Sequence, residues 1–314
     1  MPFDLIAVGD VMLDGALPAP VAGGRVHGRI ELRAGGSAAN AALAAARLGA
    51  RVAVVGRVGA DAPGRLVRDT LAAAGVEPLL AVDEAVLTGG VIVVGGASVV
   101  ADPGASARLV PGDLPEPLAA RAVLVSGDLP EPLAARAVLV SGYSLLQAGS
   151  EAAARAALER ARADWLAVDA ASARLVAAFG VDRFLDATAP ANLLLANEDE
   201  ARTLTGLEPE QAALVLARRY RVVCIKLGRS GALAASGGEI ARADVQPLDR
   251  AETLGAGDAF AGGFLFSLSR GAELAEAVRA GCDTATAALL GQKPDTATTA
   301  GALTATTAGP KRGS

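Results

Sequence analysis

Residues 252–271 read ETLGAGDAFAGGFLFSLSRG. Three small residues, Gly255, Ala256 and Gly257, stand directly before Asp258, and the apolar residues that follow have helical spacing. The pattern predicts a loop that leads into a helix N-terminus, where unpaired backbone N–H groups and a partial positive charge can receive a phosphate. A carboxylate at this place can take the proton of a hydroxyl that attacks a phosphoryl group. The alternative is that Asp258 only caps the helix, because Asp is a favoured N-cap residue.

Short apolar segments recur along the rest of the chain and alternate with helical patterns. They include FDLIAV at 3–8, WLAVD at 165–169, LLLAN at 193–197 and VVCIK at 222–226. This alternation predicts an α/β fold, with a doubly wound, mostly parallel sheet and helices on both faces. We assign residues 1–10, 35–86 and 103–293 to this large domain.

Two stretches that do not follow this alternation of strands and helices predict a second, smaller sheet. Residues 15–34 and 88–101 are rich in Gly and β-forming residues and lack helical periodicity. We place the small β unit at 11–34 and 87–102. The final residues, 294–314, are low in complexity and lack an apolar face, so we expect a disordered tail there.

The composition argues against several classes of protein. Of the 314 residues, 52% are hydrophobic but only 3% aromatic, so a large core is possible and must consist mainly of Ala, Val and Leu. The net charge of −5 provides no basic surface for nucleic acid or for an anionic membrane. The single histidine, His27, argues against histidine-dependent hydrolases and against multi-histidine metal sites.

The cysteines and the N-terminus predict the cellular compartment of the protein. Cys224 and Cys282 lie far apart, without the spacing of a disulfide framework or a zinc site. The N-terminus lacks the basic region of a signal peptide, and no apolar run approaches the roughly 18 residues of a spanning helix. We therefore expect a cytoplasmic protein that binds small molecules, with neither a nucleic acid nor a membrane as partner.

Two aspartates follow the first predicted strand. Asp10 and Asp14 come after FDLIAV, at the carboxyl end where open α/β sheets bind their ligands. Carboxylates at this edge commonly bind the hydroxyl groups of sugars. The alternative is that both residues are surface aspartates in a turn.

Two separated motifs resemble the signatures of the ribokinase-like (PfkB) carbohydrate kinases. The stretch LGAGDAFAGGFLFSLSRG at 254–271 is similar to the C-terminal signature of that family. The order GGSAAN at 35–40, a helix, ARLGA, a strand and then G-x-x-G-x-D at 56–61 resembles its N-terminal signature. The resemblance covers about residues 3–291 and implies a kinase that transfers the γ-phosphoryl group of ATP-Mg²⁺ to a sugar or a sugar-like alcohol.

The resemblance also implies roles for the residues around the GAGD loop. Asp258 would be the catalytic base, and the backbone of residues 255–258, which begins with Gly255, Ala256 and Gly257, would form the anion hole. The acceptor would be held by Asp14, Gly35, Gly36 and Asn40. The small β unit would close over it as a lid, and lids of this family often pair two subunits, so a homodimer through the lid is expected.

On the nucleotide side, the resemblance rests on an N-x-x-E element and a G-x-x-G turn. Asn197 and Glu200 would lie near the nucleotide phosphates, with Glu200 at the Mg²⁺, because hard oxygen ligands suit this ion. The plain alternative is an N-cap Asn followed by acidic residues that complement the helix dipole. Gly228 and Gly231 would form the nucleotide-side turn. Lys226 before them is a nucleotide-side candidate that can also be only a strand-end charge.

The duplicated segment is the oddest feature of the chain. Residues 112–126 and 127–141 both read GDLPEPLAARAVLVS. Two copies are too few for a stacked repeat, so we interpret them as a recent duplication or an artefact. The family's sheet has one place for a strand such as AVLVS, and we expect the second copy to fill it and the first copy to lie at the periphery.

Departures from the family pattern affect the expected ligands. Glu252, Thr253 and Leu254 stand where the family usually has Asp-Thr-Thr or Asp-Thr-Asn, which makes activation by a monovalent cation doubtful. Met12 and Ser37-Ala38 also depart from ribokinases, so ribose is not the first acceptor expected. A nucleoside kinase is an alternative, although the scarcity of aromatic residues counts against it. A non-catalytic protein that senses a sugar or nucleotide is a second alternative.

Overall fold

The computed structural model describes residues 3–17, 30–94, 97–115, 135–246, 248 and 255–291. Several features of the sequence lie outside the described residues: His27, the motif at 252–254, the tail at 294–314 and residues 116–134 of the duplicated segment.

Strands and helices alternate along the described chain. In chain order the elements are β1 (Phe3–Val8), β2 (Met12–Leu17), β3 (Glu31–Gly35), α1 (Ser37–Arg47), β4 (Val52–Gly59), α2 (Ala62–Ala73), β5 (Val76–Asp83), β6 (Thr88–Val94), β7 (Ala97–Gly104), β8 (Ala135–Ser141), α3 (Gly142–Leu146), α4 (Glu151–Arg160), β9 (Trp165–Asp169), α5 (Ala173–Phe179), α6 (Val181–Ala187), β10 (Leu193–Asn197), α7 (Glu198–Thr205), α8 (Pro209–Leu216), β11 (Val222–Lys226), β12 (Ala232–Ser236), β13 (Glu239–Ala243), α9 (Ala256–Ser269) and α10 (Leu274–Leu290). Within this part of the chain, no helix is both long and apolar enough to cross a membrane.

The main sheet has the strand order β13-β12-β11-β10-β9-β8-β1-β4-β5. The strands from β11 through to β5 are parallel, and β12 and β13 add an antiparallel edge. The mostly parallel α/β fold is thus confirmed, although the sequence patterns did not predict β5 or the β12–β13 edge. From β1, the chain adds β4 and β5 on one side of β1 and then β8 and the later strands on its other side. The direction in which strands are added therefore reverses between β1 and β8. Ligand sites of open α/β sheets form outside the carboxyl ends of strands at such a reversal.

The core lies on both faces of the main sheet. Along β1, Leu5 and Ala7 belong to one apolar cluster, whereas Ile6 and Val8 belong to the other. Helices α1, α9 and α10 cover the first face, and helices such as α4 and α7 cover the second. Burial on both faces explains why the strands are continuously apolar rather than alternating.

Helix α9 is buried between α1 and α10. A side chain at Gly262 would collide with the Ala41 carbonyl oxygen of α1, and one at Gly263 would collide with Thr284 of α10. The two glycines therefore allow three helices to pack closely, so the first turn of α9 is held beside the first turn of α1.

The second sheet has the order β3-β2-β6-β7, and its four strands fall within the two stretches predicted as the lid or next to them. Hydrogen bonds to the large domain fix its entry points. Ser106 Oγ donates to the Val11 carbonyl oxygen at 2.7 Å, and the Thr88 N–H donates to Asp61 Oδ2 at 2.9 Å. These bonds hold the small sheet at the carboxyl edge of β1.

The duplicated segment contributes to the fold at both of its ends. The second copy supplies β8, which lies between β1 and β9. The opening of the first copy is also part of the fold, because Leu114 is buried in the core and Arg57 Nη1 donates to Asp113 at 2.8 Å. This differs from the expectation that the whole first copy lies at the periphery. The first copy follows β7 in the chain, so its opening residues occupy the place beside Arg57 before the second copy forms β8.

Candidate active site

The carboxyl ends of five neighbouring strands meet at one edge of the main sheet. Asp10 follows β1, Ser141 ends β8, Asp169 ends β9 and Lys226 ends β11. The register places Ser141 beside Asp169, and it places Asn197 of β10 beside Lys226. The N-terminus of α9 lies against this edge, so polar groups from remote parts of the chain share one cleft.

Asp258 and Asn40 form the centre of this cleft. Asn40 Nδ2 donates a hydrogen bond to Asp258 Oδ2 at 3.0 Å, although 218 positions separate the two residues in sequence. Burial raises the pKa of Asp258 to about 6, opposed by the Asn40 bond and reinforced by the charges of Asp169 and Asp10. Such a carboxylate is ionised above pH 6, yet basic enough to accept a proton from a reacting hydroxyl.

The first turn of α9 has no side-chain cap. The N-cap residue is Gly255, which has a left-handed φ of 78°, and Asp258 lies inside the helix. The capping alternative for Asp258 is therefore not realised, since its carboxylate binds Asn40 instead. The N–H groups at Ala256 and Gly257 lie at an uncapped helix start, which has the polarity that suits an anion.

The acceptor-side candidates surround Asp14. This side chain is buried, and its Oδ1 atom has no hydrogen-bond partner among the described residues. Arg33 Nε lies 3.9 Å from the other oxygen. Burial raises the pKa of Asp14, and Arg33 opposes that shift. Gly35 is required here because any side chain would collide with the Asp14 carboxylate, and Gly36 has a φ of 90° against the Asp10 carbonyl oxygen.

Asp10 differs from Asp14 because both of its carboxylate oxygens are bound by protein donors. Ser141 Oγ donates to Oδ1 at 2.6 Å, and the Ser37 N–H donates to Oδ2 at 2.6 Å. Burial raises the pKa of Asp10, and these two bonds oppose the shift. Of the two aspartates that follow β1, only Asp14 keeps an oxygen for a ligand.

Asn197 and Glu200 form a reciprocal capping box at the start of α7. The Glu200 N–H donates to Asn197 Oδ1 at 2.9 Å, and the Asn197 N–H donates to Glu200 Oε2 at 2.8 Å. Burial raises the pKa of Glu200 to about 7; Asp169 adds to this shift and Lys226 opposes it. The plain N-cap reading is thus realised. Glu200 also lies close enough to Asp169 and Lys226 for their charges to shift its pKa.

Lys226 points its ammonium group at Asp169. Its Nζ donates to Asp169 Oδ2 at 2.7 Å and lies 3.5 Å from the position that a Cβ on Gly257 would take. Burial alone lowers the pKa of Lys226, but Asp169 and Glu200 outweigh it and raise the pKa above its ordinary value. A permanent positive charge therefore lies beside the first turn of α9.

Gly228 and Gly231 shape the turn between β11 and β12. Both have a positive φ, of 54° and 88°, and a side chain at Gly231 would collide with the Ala243 carbonyl oxygen. The Leu227 N–H closes the turn by donating to the Gly231 carbonyl oxygen at 2.8 Å. The turn follows Lys226 directly, as the sequence predicts.

Sequence reasoning missed Asp169 and Tyr143 as members of the cleft. Asp169 accepts hydrogen bonds from Lys226 Nζ and from the N–H of Ala171. Ala171 has a φ of 66° and is the one non-glycine residue with a positive φ in the described chain. Burial raises the pKa of Tyr143 to about 12, and Asp10, Asp258 and other carboxylates of the cleft add to the shift. Both residues stand at strand carboxyl ends, the signal that identified Asp10 and Asp14.

The carboxylates of the cleft suit a Mg²⁺ ion that binds together with the phosphates of a ligand. No group of three or more His, Cys, Asp or Glu residues with metal-binding geometry occurs in the part of the chain that the structure describes. The cleft nevertheless gathers the carboxylates of Asp169, Glu200 and Asp258 around one ammonium group. Mg²⁺ commonly binds to one or two carboxylates plus substrate phosphates and water, and this arrangement fits that habit.

Comparison with known proteins supports the fold. The structure resembles the adenosine kinase from Sinorhizobium meliloti, with a TM-score of 0.77 and 24% identity over 93% of this chain and 95% of that chain. It also resembles the PfkB protein from Polaromonas sp. JS666, with a TM-score of 0.76 and 25% identity over 96% of this chain and 100% of that chain.

A sequence relative and a family model complete the comparison. A cytidine kinase of Thermococcus kodakarensis is 36% identical over 97 residues, which is 30% of this chain and only 35% of that protein's length. The model of the pfkB family carbohydrate kinases matches residues 4–300. Because this match runs over nearly the whole chain, the chain belongs to the pfkB family of carbohydrate kinases.

Proposed function

We propose that this protein transfers the γ-phosphoryl group of ATP to a hydroxyl group of a sugar or sugar-like acceptor. The observation that carries the proposal is the pair of Asn40 and Asp258 at the uncapped start of α9, 3.0 Å apart. A carboxylate beside an anion-binding helix start combines the two groups that phosphoryl transfer to an alcohol needs.

In this mechanism Asp258 accepts the proton of the attacking hydroxyl. Asn40 orients the carboxylate through the bond from its Nδ2 atom. The backbone N–H groups of Gly255, Ala256 and Gly257 stabilise the charge that develops on the transferred group, as oxyanion holes do. An Asp258 with a pKa of about 6 is ionised at neutral pH and ready for this role.

On the acceptor side, Asp14 binds a hydroxyl of the acceptor through its unpaired Oδ1 atom. Gly35 lets the backbone pass close to that carboxylate, and Gly36 lets it pass close to the Asp10 carbonyl oxygen. Asn40 contacts the acceptor beside the base. The sheet of β2, β3, β6 and β7 acts as a lid that excludes water, which would otherwise compete as the phosphoryl acceptor.

On the nucleotide side, Lys226 binds the phosphates with its ammonium group, next to Gly257. Asn197 and the turn of Gly228 and Gly231 line the nucleotide. Glu200 would meet Mg²⁺, directly or through water, and that ion would neutralise charge on the phosphates.

The acceptor can also be a nucleoside. Similar proteins include enzymes described as an adenosine kinase and a cytidine kinase. The specific observation in this chain is Tyr143, an aromatic side chain whose phenol is influenced by Asp258 and Asp10 in the cleft. Aromatic rings are common platforms for bases, so Tyr143 offsets the low aromatic content of the chain.

The lid also supplies a surface for a second copy of the chain. Leu32, Ile92 and Val100 occupy one cross-strand row and are 58%, 45% and 59% exposed. The side chains of Leu32 and Ile92 lean over Gly15, which gives the row a smooth apolar centre. We propose an isologous dimer through this face; a monomer by sedimentation at micromolar concentration would contradict it.

The test of the catalytic proposal is ADP release from ATP-Mg²⁺ at pH 8, with a panel of sugars, keto-deoxy sugar acids, sugar phosphates and nucleosides. We expect turnover on one acceptor class. Asp258→Asn should keep ATP binding and lose about 10²- to 10⁴-fold in kcat, the usual contribution of a general base. Asp186→Asn, an exposed carboxylate 80% accessible, is the matched control.

Two outcomes would contradict parts of this proposal. Unchanged kcat in Asp258→Asn would remove Asp258 from the role of base. ATP binding without turnover on any acceptor would favour the non-catalytic sensor of a sugar or nucleotide.

A further inference from the structure

Asp10 is a buried carboxylate that the proposed reaction does not use. Its side chain is only 5% exposed, and both oxygens are occupied by protein donors, Ser141 Oγ and the Ser37 N–H, each at 2.6 Å. A group with no remaining open oxygen does not bind an acceptor hydroxyl. Burial of a carboxylate is costly unless its hydrogen bonds contribute to the structure around it.

The bond to Ser37 replaces a missing helix cap. Helix α1 begins at Ser37, and its N-cap residue, Gly36, has no side chain to accept from the free N–H groups of the first turn. Asp10 supplies that acceptor from the end of β1, 27 positions earlier in the chain. A carboxylate at a helix N-terminus is also favoured by the helix dipole. The Asp10 side chain therefore ties the start of α1 to the end of β1.

The same turn of α1 carries Asn40. Asn40 is the fourth residue of the helix, and its Nδ2 atom donates to the Asp258 carboxylate at 3.0 Å. A continuous path thus runs from Ser141 through Asp10 and the Ser37 N–H to Asn40 and Asp258. We propose that Asp10 is a positioning residue, which fixes the first turn of α1 and thereby holds Asn40 against the Asp258 carboxylate.

This role rests on the proposed function of Asp258 and predicts a defined kinetic effect. Displacement of a reacting group by about 1 Å can cost on the order of 10²-fold in rate. Loss of the Asp10 bond should therefore lower kcat and leave the KM for ATP unchanged, because the nucleotide side of the cleft contains neither Asp10 nor α1.

Asp10→Ala is the first variant, and Asp4→Ala is its matched control. Asp4 lies on the same strand and also accepts from a backbone N–H, that of Arg51 at 2.9 Å, but at the opposite end of β1. We expect kcat to fall roughly 10- to 100-fold in Asp10→Ala and to stay within about twofold in Asp4→Ala. Equal kcat in both variants and in the parent protein would overturn the proposal.

A double-mutant cycle with Asn40→Ala tests whether Asp10 acts through Asn40. Residues that act through one path show non-additive effects, whereas independent residues show additive ones. We expect Asp10→Ala to cost less than about threefold in kcat once Asn40 is already Ala. The same cost in both backgrounds would show that Asp10 does not act through Asn40.

Asp10→Asn keeps the size of the side chain and covers the case in which Asp10→Ala does not fold. Its amide oxygen can still accept from the Ser37 N–H, and its NH₂ group can donate to Ser141 Oγ. If Asp10 acts by positioning, Asp10→Asn should keep most of the kcat and an unchanged KM for ATP; a large loss of kcat in this variant would contradict the proposal.

The Asp258→Asn experiment separates the two proposals. If Asp258→Asn keeps its kcat, the proposed function fails at the base. If Asp258→Asn loses turnover while Asp10→Ala keeps it, the catalytic proposal stands and the positioning role of Asp10 fails.

Discussion

The proposed acceptor side and the proposed nucleotide side of the cleft differ in how their charged groups are paired. On the acceptor side, Asp14 keeps a buried Oδ1 atom without a partner among the described residues. On the nucleotide side, Asp169 binds Lys226 and the Ala171 N–H, and Glu200 is enclosed in its capping box with Asn197. One side therefore has a polar atom without a protein partner, and the other has a network in which the charged groups are already paired.

This difference predicts how each ligand binds. An acceptor hydroxyl can bind Asp14 without breaking any protein bond, and it removes the cost of an unsatisfied buried oxygen. A nucleotide must instead draw the Lys226 ammonium away from Asp169, or share it. The acceptor side is preformed, whereas the nucleotide side exchanges protein ion pairs for ligand ion pairs.

The largest expected effect comes from removing the cation of the nucleotide side. In Lys226→Met, Asp169, Glu200 and Asp258 lose the ammonium group that faces them within the described part of the chain. We expect kcat/KM for ATP to fall about 10²- to 10³-fold, the usual cost of losing a charge-stabilising donor, with an unchanged KM for the acceptor. Steady-state kinetics with each substrate varied in turn measures both quantities.

Lys226→Arg is the matched control, because it keeps the charge and can keep the bond to Asp169. The double variant Lys226→Met/Asp169→Asn removes both charges and avoids leaving Asp169 unpaired, which protects the fold. Normal ATP kinetics in Lys226→Met would show that Lys226 is only a strand-end charge.

A smaller effect is expected from the acceptor side. Asp14→Asn keeps the shape of the side chain but removes the charge that strengthens a bond to a hydroxyl. We expect the KM for the acceptor to rise about 10-fold, the value of one charge-assisted hydrogen bond, while the KM for ATP stays the same. Asp102→Asn on the lid is a suitable control, since that carboxylate is exposed. A change in the KM for ATP alone would reverse the assignment of the two sides.

The sequence predicted one side of this comparison better than the other. Most strands and the helix start at Gly255 follow from local patterns, although β5 and the β12–β13 edge do not, and the α/β fold is confirmed. The candidates Asn40, Asn197 and Glu200 come from the resemblance to the kinase family. The pair of Lys226 and Asp169 does not follow from such patterns. The two residues are 57 positions apart, and their contact depends on the order of β9, β10 and β11 in the sheet.

Local patterns do not separate Asp10 from Asp14, because both aspartates follow the same strand; the resemblance to the kinase family is what favours Asp14. In the structure the positions of α1 and β8 distinguish them, because Ser37 and Ser141 bind both oxygens of Asp10, whereas Asp14 Oδ1 has no partner among the described residues. Contacts between elements, rather than local preferences, decide which of two similar residues is free for a ligand.

The smallest effect is expected from deleting one copy of the duplicated segment. Deletion of residues 112–126 or of 127–141 gives the same polypeptide, since the copies are identical. The remaining copy supplies both an Asp for Arg57 and the strand β8, whose Ser141 joins Asp10 on one side and pairs with Asp169 on the other. We therefore expect both KM values and kcat to stay within about twofold, because every contact of the cleft is kept.

Stability gives the deletion a second readout. The connection between Leu114 and β8 becomes fifteen residues shorter, and a shorter loop costs less entropy to close. We expect a free energy of unfolding that is equal or higher by roughly 1 kcal/mol, measured by urea denaturation. A control that replaces residues 116–130 with a Gly/Ser linker keeps the original length and should show no gain. Collapse of the deletion variant, with a folded parent, would mean that the extra copy is part of what holds the two sides of the cleft together.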